Sequence, residues 1–193
     1  MPAEPVLQAL SDNISKGNYK KALTFCDKKL VLEAENKAVI KTKCLCYIQL
    51  GEEQAGLDFI NSLKPALQED LQEEKVYCLY KLRKHDQVLD IVRKTEKPSI
   101  TLRHLEGQTL YRLGEYKKAH EVFRSIQKES DTPEILVNLA ATTSMGRFAD
   151  DELQQVQSTN KSSFELAFNN ACSLINNNQL RGAEQQLELA LSK

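Results

Sequence analysis

A six-residue motif that occurs twice constrains this chain of 193 residues more than any other feature. Residues 17–22 read GNYKKA and residues 114–119 read GEYKKA. These two near copies fix a repeat frame, since each copy of an internal repeat forms one structural unit. With that frame, weaker copies start at Gly51, Arg83, Gly146 and Asn178.

The spacing of the copies predicts the fold class. The six copies begin 34, 32, 31, 32 and 32 residues apart, close to the 34-residue period of the tetratricopeptide repeat, a stack of antiparallel helix pairs. We therefore predict an all-α fold, a right-handed α-solenoid of about six tetratricopeptide-like helix pairs, in a single domain spanning residues 1–193. The predicted repeats cover residues 4–34, 37–64, 69–95, 100–129, 132–157 and 163–193.

Each copy starts at a turn between two helices. Glycine adopts the left-handed backbone in which many helices end, so Gly51, Gly114 and Gly146 are predicted turn residues. Small residues five places later let the two helices approach closely; they are Ala22, Gly56, Ala119 and Ala183. The fifth pair is the least regular, because residues 150–152 (DDE) occupy that place, and we expect its second helix to be short or displaced. Residues 157–163 are predicted to form a loop.

Composition and charge narrow the class of protein. The formal net charge of −1 removes the broad positive field that binding to RNA or DNA without sequence choice requires. No apolar run is long enough to span a bilayer, so we expect no membrane insertion. The first residues, MPAEP, lack the basic start and apolar stretch of a signal peptide, and the five cysteines are an odd number. These features predict a cytoplasmic protein with structural, unpaired thiols.

The sequence offers no arrangement of side chains suited to catalysis. The three histidines, His85, His104 and His120, have none of the spacings of a metal site. Cys44 and Cys46 lie on nearly opposite helix faces and cannot chelate one ion together. No phosphate-binding loop or nucleophile elbow is present. We therefore predict neither an enzyme nor a protein that holds a cofactor or a metal.

The first helix of each pair offers the candidate binding groove. In a tetratricopeptide array, the concave surface is formed by the residue after the small packing position and by those three and four places further on, with a contribution from one turn upstream. The candidate groove residues are Lys41, Leu45, Ile48, Gln49, Glu73, Tyr77, Tyr80, Lys81, His104, Gln108, Tyr111 and Arg112. The same rule places Ala140, Thr143 and Ser144 there in the fifth repeat, and Cys172, Ile175 and Asn176 in the sixth.

Tyrosine suits a peptide-binding groove, because its ring supplies contact area at low entropic cost and its hydroxyl bonds to a backbone. The alternative for Tyr77, Tyr80 and Tyr111 is that they only pack between neighbouring first helices. Lys41, Lys81 and Arg112 could contact acidic side chains of a guest, although exposed charges alone usually form a solvated face.

Three blocks of sequence resemble a known family: residues 74–82 (EKVYCLYKL), 107–113 (GQTLYRL) and 168–175 (FNNACSLI). They are similar to the amino-terminal tetratricopeptide region of the seventy-two kilodalton subunit of the signal recognition particle. The resemblance implies a platform whose concave surface holds the carboxy-terminal segment of the sixty-eight kilodalton sister subunit. It also implies that RNA is contacted only indirectly or by regions absent from this chain, and that the function is co-translational targeting to the endoplasmic reticulum.

Two alternatives stay open at this point. The chain could be a generic tetratricopeptide adaptor for another partner. It could also bind RNA directly through the exposed lysines of its second helices, Lys20, Lys21, Lys28 and Lys29, although these alternate with acidic residues and a mixed face is usually only solubilising.

Overall fold

The structure, a computed structural model, describes residues 3–146 and 163–192, with side chains described from residue 8 onward except at residue 9. In these ranges every regular element is a helix. The twelve helices are α1 (Ala3–Ser15), α2 (Tyr19–Leu32), α3 (Lys37–Leu50), α4 (Glu53–Ser62), α5 (Pro65–Glu69), α6 (Gln72–Lys81), α7 (His85–Lys94), α8 (Ile100–Arg112), α9 (Tyr116–Gln127), α10 (Pro133–Gly146), α11 (Phe164–Asn176) and α12 (Leu180–Leu191). The predicted all-α fold of tetratricopeptide-like helix pairs is confirmed.

The repeat frame reappears in the backbone as a series of left-handed residues. The φ angles are positive at Gly17, Gly51, Arg83, Gly114 and Asn178, so five of the six predicted turn residues have the backbone that the frame requires. Arginine and asparagine take the same conformation that glycine takes elsewhere, which means that the repeat geometry overrides the cost of a Cβ atom at these positions.

The sixth predicted turn lies at the edge of the described residues. Gly146 is the last residue of α10, and the residues that follow it are outside the described ranges. The second helix of this fifth pair, its expected irregularity and residues 157–162 of the predicted loop lie outside the described residues. Ser163 begins the next described stretch, and its hydroxyl accepts a hydrogen bond from the backbone N–H of Leu166 at the start of α11 (3.3 Å).

The chain forms two compact units, Met1–Val88 and Leu89–Lys193. In the first unit, α1 packs on α2, α2 on α3, α3 on α4, and α6 on both α3 and α4. The predicted close approach in each pair is confirmed at Ala22, which is fully buried against α1 and α3, and at Gly56, which is also buried. A Cβ atom at Gly56 would lie 3.2 Å from that of Tyr47, so only a residue without a side chain fits there easily.

The short helix α5 is an addition that the repeat frame did not predict. Pro65 occupies its first turn, where the missing N–H donor costs nothing. Leu67 from this turn is buried with Ile40 and Leu71 in one apolar cluster. The helix therefore closes the core between the second and third pairs of the first unit.

In the second unit, α8 packs on α9, α9 on α10, α10 on α11, and α11 on α12. Ala119 and Phe123 lie at the centre of its apolar core, together with Leu110, Ile126 and Leu139. Ala183 is buried between the last two helices, which confirms its predicted packing role.

Candidate functional site

In the first unit, two ion pairs join the first helix α3 to the next repeat, one to Asp70 at the end of α5 and one to Glu74 in the first turn of α6. The Lys37 ammonium lies 2.6 Å from an Asp70 carboxylate oxygen, and the Lys41 ammonium lies 3.2 Å from Glu74 Oε1. Each pair joins residues that are 33 positions apart, one repeat period. Helices α3 and α6 therefore present equivalent residues to the same surface, which we call the α3–α6 face and define by Lys41, Leu45, Ile48, Glu73, Tyr77 and Lys81.

The α3–α6 face combines exposed cations with apolar side chains. Lys41, Leu45 and Lys81 are exposed, while Ile48 and Tyr77 are half-buried. Leu45 is a large aliphatic residue left in contact with solvent, and Tyr77 lies at the equivalent position of the next repeat. The chemistry is that of a surface able to contact both the backbone and the apolar side chains of a guest segment.

Tyr80 departs from the sequence prediction. Its side chain is only 8% exposed, so its ring packs within the unit instead of standing open to a guest. The same rule selected Lys81, which is exposed. For Tyr80, the packing alternative holds.

Glu74 is the buried ion-pair partner of Lys41, and sequence analysis did not identify it. The side chain is 6% exposed and pairs with Lys41 through Oε1, while no described residue donates a hydrogen bond to its Oε2. It lies in the first turn of α6, where the helix dipole favours a negative charge. The carboxylate raises the pKa of the Lys41 ammonium, chiefly by accepting its hydrogen bond, so this cation stays charged.

The thiols beside Glu74 are unreactive. Burial, reinforced by the Glu74 charge, raises the pKa of Cys44 to about 12. Burial also raises the pKa of Cys78 to about 11. Because the thiolate is the reactive form, these side chains act as small apolar residues at the contact between helices.

In the second unit, three first helices lie side by side through side-chain hydrogen bonds. The Asn138 amide and the His104 ring join α8 to α10, with 2.7 Å between Nδ2 and Nε2. Asn169 donates to the carbonyl of Val137 (3.3 Å) and Asn176 to that of Ser144 (2.5 Å), which joins α10 to α11. These bonds link residues 34, 32 and 32 positions apart, again one repeat period.

The predicted site residues of α8 border this surface. His104, Gln108 and Tyr111 are half-buried and Arg112 is exposed; we call these four residues the α8 face. The Tyr111 ring packs edge-on against Tyr116, with 5.3 Å between centroids, and burial raises the pKa of its hydroxyl. Tyr111 therefore packs against the second helix of its own pair and is partly exposed, and its contact with a guest stays a prediction.

His104 is the titratable group of the α8 face. Its ring meets Phe123 edge-on at 5.6 Å between centroids. Burial lowers the pKa of the imidazole, against the opposing charge of Glu134. In the amide orientation described, Asn138 Nδ2 donates to the neutral ring; a protonated ring would donate to Asn138 Oδ1 once the amide has turned over.

The fifth-repeat positions named from the frame are less exposed than a groove surface requires. Ala140, Thr143 and Ser144 are buried, whereas the neighbouring Met145 is exposed.

Sequence reasoning missed two exposed aromatic side chains on a first helix. Phe164 and Phe168 of α11 are 49% and 45% exposed, and their rings stack with 6.1 Å between centroids. The frame named Cys172 and Ile175 of this helix, but not the two phenylalanines one and two turns upstream. Phe168 stands ten residues before its turn residue, as Lys41 does in the second repeat, and this equivalence could have identified it.

The described residues form neither a metal-binding cluster nor a membrane-spanning helix. Within residues 3–146 and 163–192, no group of three or more His, Cys, Asp or Glu side chains is placed to hold a metal ion. None of the helices described in those ranges is both long enough and apolar enough to cross a membrane.

The paired helices, their period and their side-by-side first helices define the tetratricopeptide class of protein-binding repeat. A solved structure of a tetratricopeptide repeat protein from Parabacteroides merdae superimposes with a TM-score of 0.65 at 18% identity, covering 100% of this chain and 80% of that one. This likeness shows the fold.

Sequence comparisons place the chain in one particular family within the tetratricopeptide class. The family model SRP_TPR_like, "Putative TPR-like repeat", matches residues 24–145, and the chain belongs to that family. It is 31% identical over 195 residues to the signal recognition particle subunit SRP72 of Dictyostelium discoideum, covering 97% of this chain and 28% of the relative. It is 28% identical to SRP72 of Homo sapiens, covering 90% of this chain and 26% of the relative. The predicted resemblance to the seventy-two kilodalton subunit is confirmed, and the chain spans little more than a quarter of these relatives.

Proposed function

We propose that this chain is a protein-binding scaffold of the signal recognition particle, and that its first-helix faces hold the carboxy-terminal segment of the sixty-eight kilodalton sister subunit. The observation that carries the proposal is the exposed Leu45, which lies with the half-buried Ile48 and Tyr77 beside exposed cations on the α3–α6 face of a chain similar to SRP72. The proposed role is to hold two subunits together in the cytoplasm during protein targeting, without a catalytic step.

The α3–α6 face supports this role by its chemistry. Leu45 and Tyr77 are one repeat apart and provide apolar contact to a guest that crosses from α3 to α6. Lys41 and Lys81 are exposed cations on the same face, able to meet acidic side chains of the guest. Aromatic and aliphatic anchors supply most of the affinity in such interfaces, and the surrounding charges supply orientation.

The α8 face supports the role within its own unit. Tyr111 and Gln108 offer a ring and an amide, and Arg112 offers an exposed cation. A guest backbone alongside α8 would find both donors and acceptors there. We treat each face as a separate contact surface for the guest.

Direct RNA binding through α2 is the weaker candidate. Lys29 is buried and bound to Glu33, so it cannot contact a phosphate. The remaining lysines of α2 share that helix with Asp27, whose carboxylate is already paired with Lys43 at 2.6 Å. The chain has 26 cations against 27 carboxylates, and phosphate binding by a face of this composition would be weak.

Titration calorimetry with the purified carboxy-terminal segment of the sister subunit tests the proposal. We expect the Leu45→Ala, Tyr77→Ala double variant to lose about 2 kcal/mol of binding free energy, because truncated anchors typically cost 1–2 kcal/mol each. The control is Val31→Ala, since Val31 is an exposed apolar residue on the second helix α2. No binding by the wild-type chain would overturn the function, and equal affinity of the double variant would overturn the assignment of the face.

A further inference from the structure

An apolar stripe runs along the exposed side of α11. Phe164, Phe168 and Ile175 are each between 45% and 49% exposed, and the half-buried Cys172 lies between the last two. Their spacing of four, four and three residues puts all four on one helix face. The stripe extends over eleven residues, or about 16 Å along the helix axis. It is aliphatic and aromatic throughout, unlike the α3–α6 face with its ion pairs.

The charged side chains of α10 and α11 have one sign. Helices α10 and α11 contain no lysine or arginine, and their only charged side chains are Glu134 and Glu165. Both carboxylates belong to the first turn of their helix and are exposed. Hydrogen bonds join Asn169 to Val137 and Asn176 to Ser144, 32 positions apart in both cases, so Glu134 and Glu165 lie at the same end of the pair.

Phe164 stands next to that acidic end. The neighbouring Glu165 has its pKa lowered by hydrogen bonds from its own backbone N–H and from Ser163, so it is ionised at neutral pH. A guest that covers the stripe from Ile175 to Phe164 therefore approaches two negative charges as it reaches the start of the helices.

We propose that the α11 stripe binds an amphipathic helix of about three turns, with aliphatic side chains on one face and lysine or arginine at the end that meets Glu134 and Glu165. The proposal rests on the proposed function, since it names the chemistry of a guest for this same unit. Three features determine it: the length of the stripe, its period and the sign of the neighbouring charges.

A helix fits the stripe better than an extended segment does. The apolar residues of α11 recur at three and four positions, and a second helix presents side chains with the same recurrence, so ridges of one pack into grooves of the other. An extended segment alternates its side chains every second residue and would turn half of them away from the stripe. A helix laid in a groove through anchors at such spacings is a common mode of peptide binding.

The test uses two synthetic 14-residue peptides with leucines at helical spacing, one carrying lysines and the other glutamates on the remaining face. Fluorescence anisotropy measures their affinity for the whole chain, and circular dichroism records helix formation on binding. We expect the lysine peptide to bind at least ~10-fold more tightly than the glutamate peptide and to gain helix content as it binds.

Variants then locate the site. Phe164→Ser with Phe168→Ser should weaken the lysine peptide at least ~10-fold, whereas the control Leu180→Ser, which alters an exposed leucine of α12, should not. Glu134→Gln with Glu165→Gln changes only exposed groups, and it should remove the preference for lysine over glutamate. If the serine variant fails to fold, this charge variant still decides the matter.

Three results would overturn the proposal: equal affinity for the two peptides, an unchanged affinity of both double variants, or binding without a gain in helix content. Titration of the wild-type chain with the sister subunit's carboxy-terminal segment runs in parallel. Failure of that segment to bind counts against the proposed function, while the peptide results decide the chemistry of the stripe.

Discussion

Gly107 is the position at which one added methyl group should test the helix packing most sharply. A Cβ atom built on this residue of α8 would lie 2.7 Å from both Cε1 and Cζ of Phe123 in α9. Carbon atoms in contact prefer 3.5–4.0 Å, so the ring would have to retreat by about 0.8 Å. Phe123 is 1% exposed and its other neighbours include the His104 ring, which leaves it little room to move.

The expected cost of Gly107→Ala follows from two opposing terms. Overpacking a filled core costs about 1–3 kcal/mol, and replacing a glycine within a helix by alanine returns about 1 kcal/mol. We therefore expect a net loss of about 1 kcal/mol in the free energy of unfolding, equivalent to about 2–4 °C in Tm for a chain of this size. Urea denaturation followed by circular dichroism measures it.

The matched control is Gly182→Ala in α12. There the added Cβ atom would meet only the Leu174 side chain, at 3.4 Å and 3.6 Å, which is close to ordinary contact, so the helix term should dominate and stability should rise by up to about 1 kcal/mol. A Gly107→Ala variant as stable as the wild type, or more stable, would refute the close approach of α8 and α9 at Phe123.

Three further predictions concern single positions. Arg83→Gly should raise the free energy of unfolding, measured by urea denaturation, by about 0.5–1 kcal/mol, because Arg83 has a φ of 58° that an L-residue adopts at a cost. Destabilisation would contradict this reasoning and would indicate that the Arg83 side chain stabilises the turn. Lys41→Ala should lower the free energy of unfolding by about 1–2 kcal/mol, since it leaves the buried Glu74 carboxylate without its cation. Adding Glu74→Gln should restore part of the loss, and a double-mutant cycle in which the two effects simply add would contradict the pairing of Lys41 with Glu74. The lowered pKa of His104 means that the unfolded chain binds a proton more readily than the folded chain does. The stability that the neutral His104 contributes is therefore present above the unfolded pKa of about 6.5 and is lost as the pH falls below that value. His104→Gln should reduce the change in the free energy of unfolding between pH 7 and pH 5, and an unchanged pH dependence would contradict this role of His104.

The repeat frame was predictable because it depends on local chemistry. A left-handed turn needs glycine or a tolerated substitute, and a close helix contact needs a small residue such as Ala22 or Ala119. Both requirements select particular residue types, and these recur in the sequence at a fixed period. The frame therefore located five of the six turn positions, including Arg83, where the residue type alone gave no sign of a left-handed backbone.

Side-chain exposure was less predictable, because it depends on neighbours that the frame does not specify. Tyr80 and Tyr111 occupy equivalent positions, three residues before their turns, yet the first is buried and the second is half-buried. In the fifth repeat, the frame selects Ala140, Thr143 and Ser144, and all three are buried. The ion-pair partner of Lys41 could not be predicted from the sequence either. Glu73 and Glu74 are adjacent, and only the packing of α6 on α3 selects Glu74.

Hydrogen exchange of the chain, measured by mass spectrometry with and without the carboxy-terminal segment of the sister subunit, tests the central claim most directly. If the first helices bind the guest, backbone amides in α3, α6, α8 and α11 should exchange more slowly in the complex, while the second helices α2, α9 and α12 should be little changed. Protection confined to those second helices, or no protection at saturating concentrations of the segment, would contradict the assignment of the first-helix faces as the binding surface.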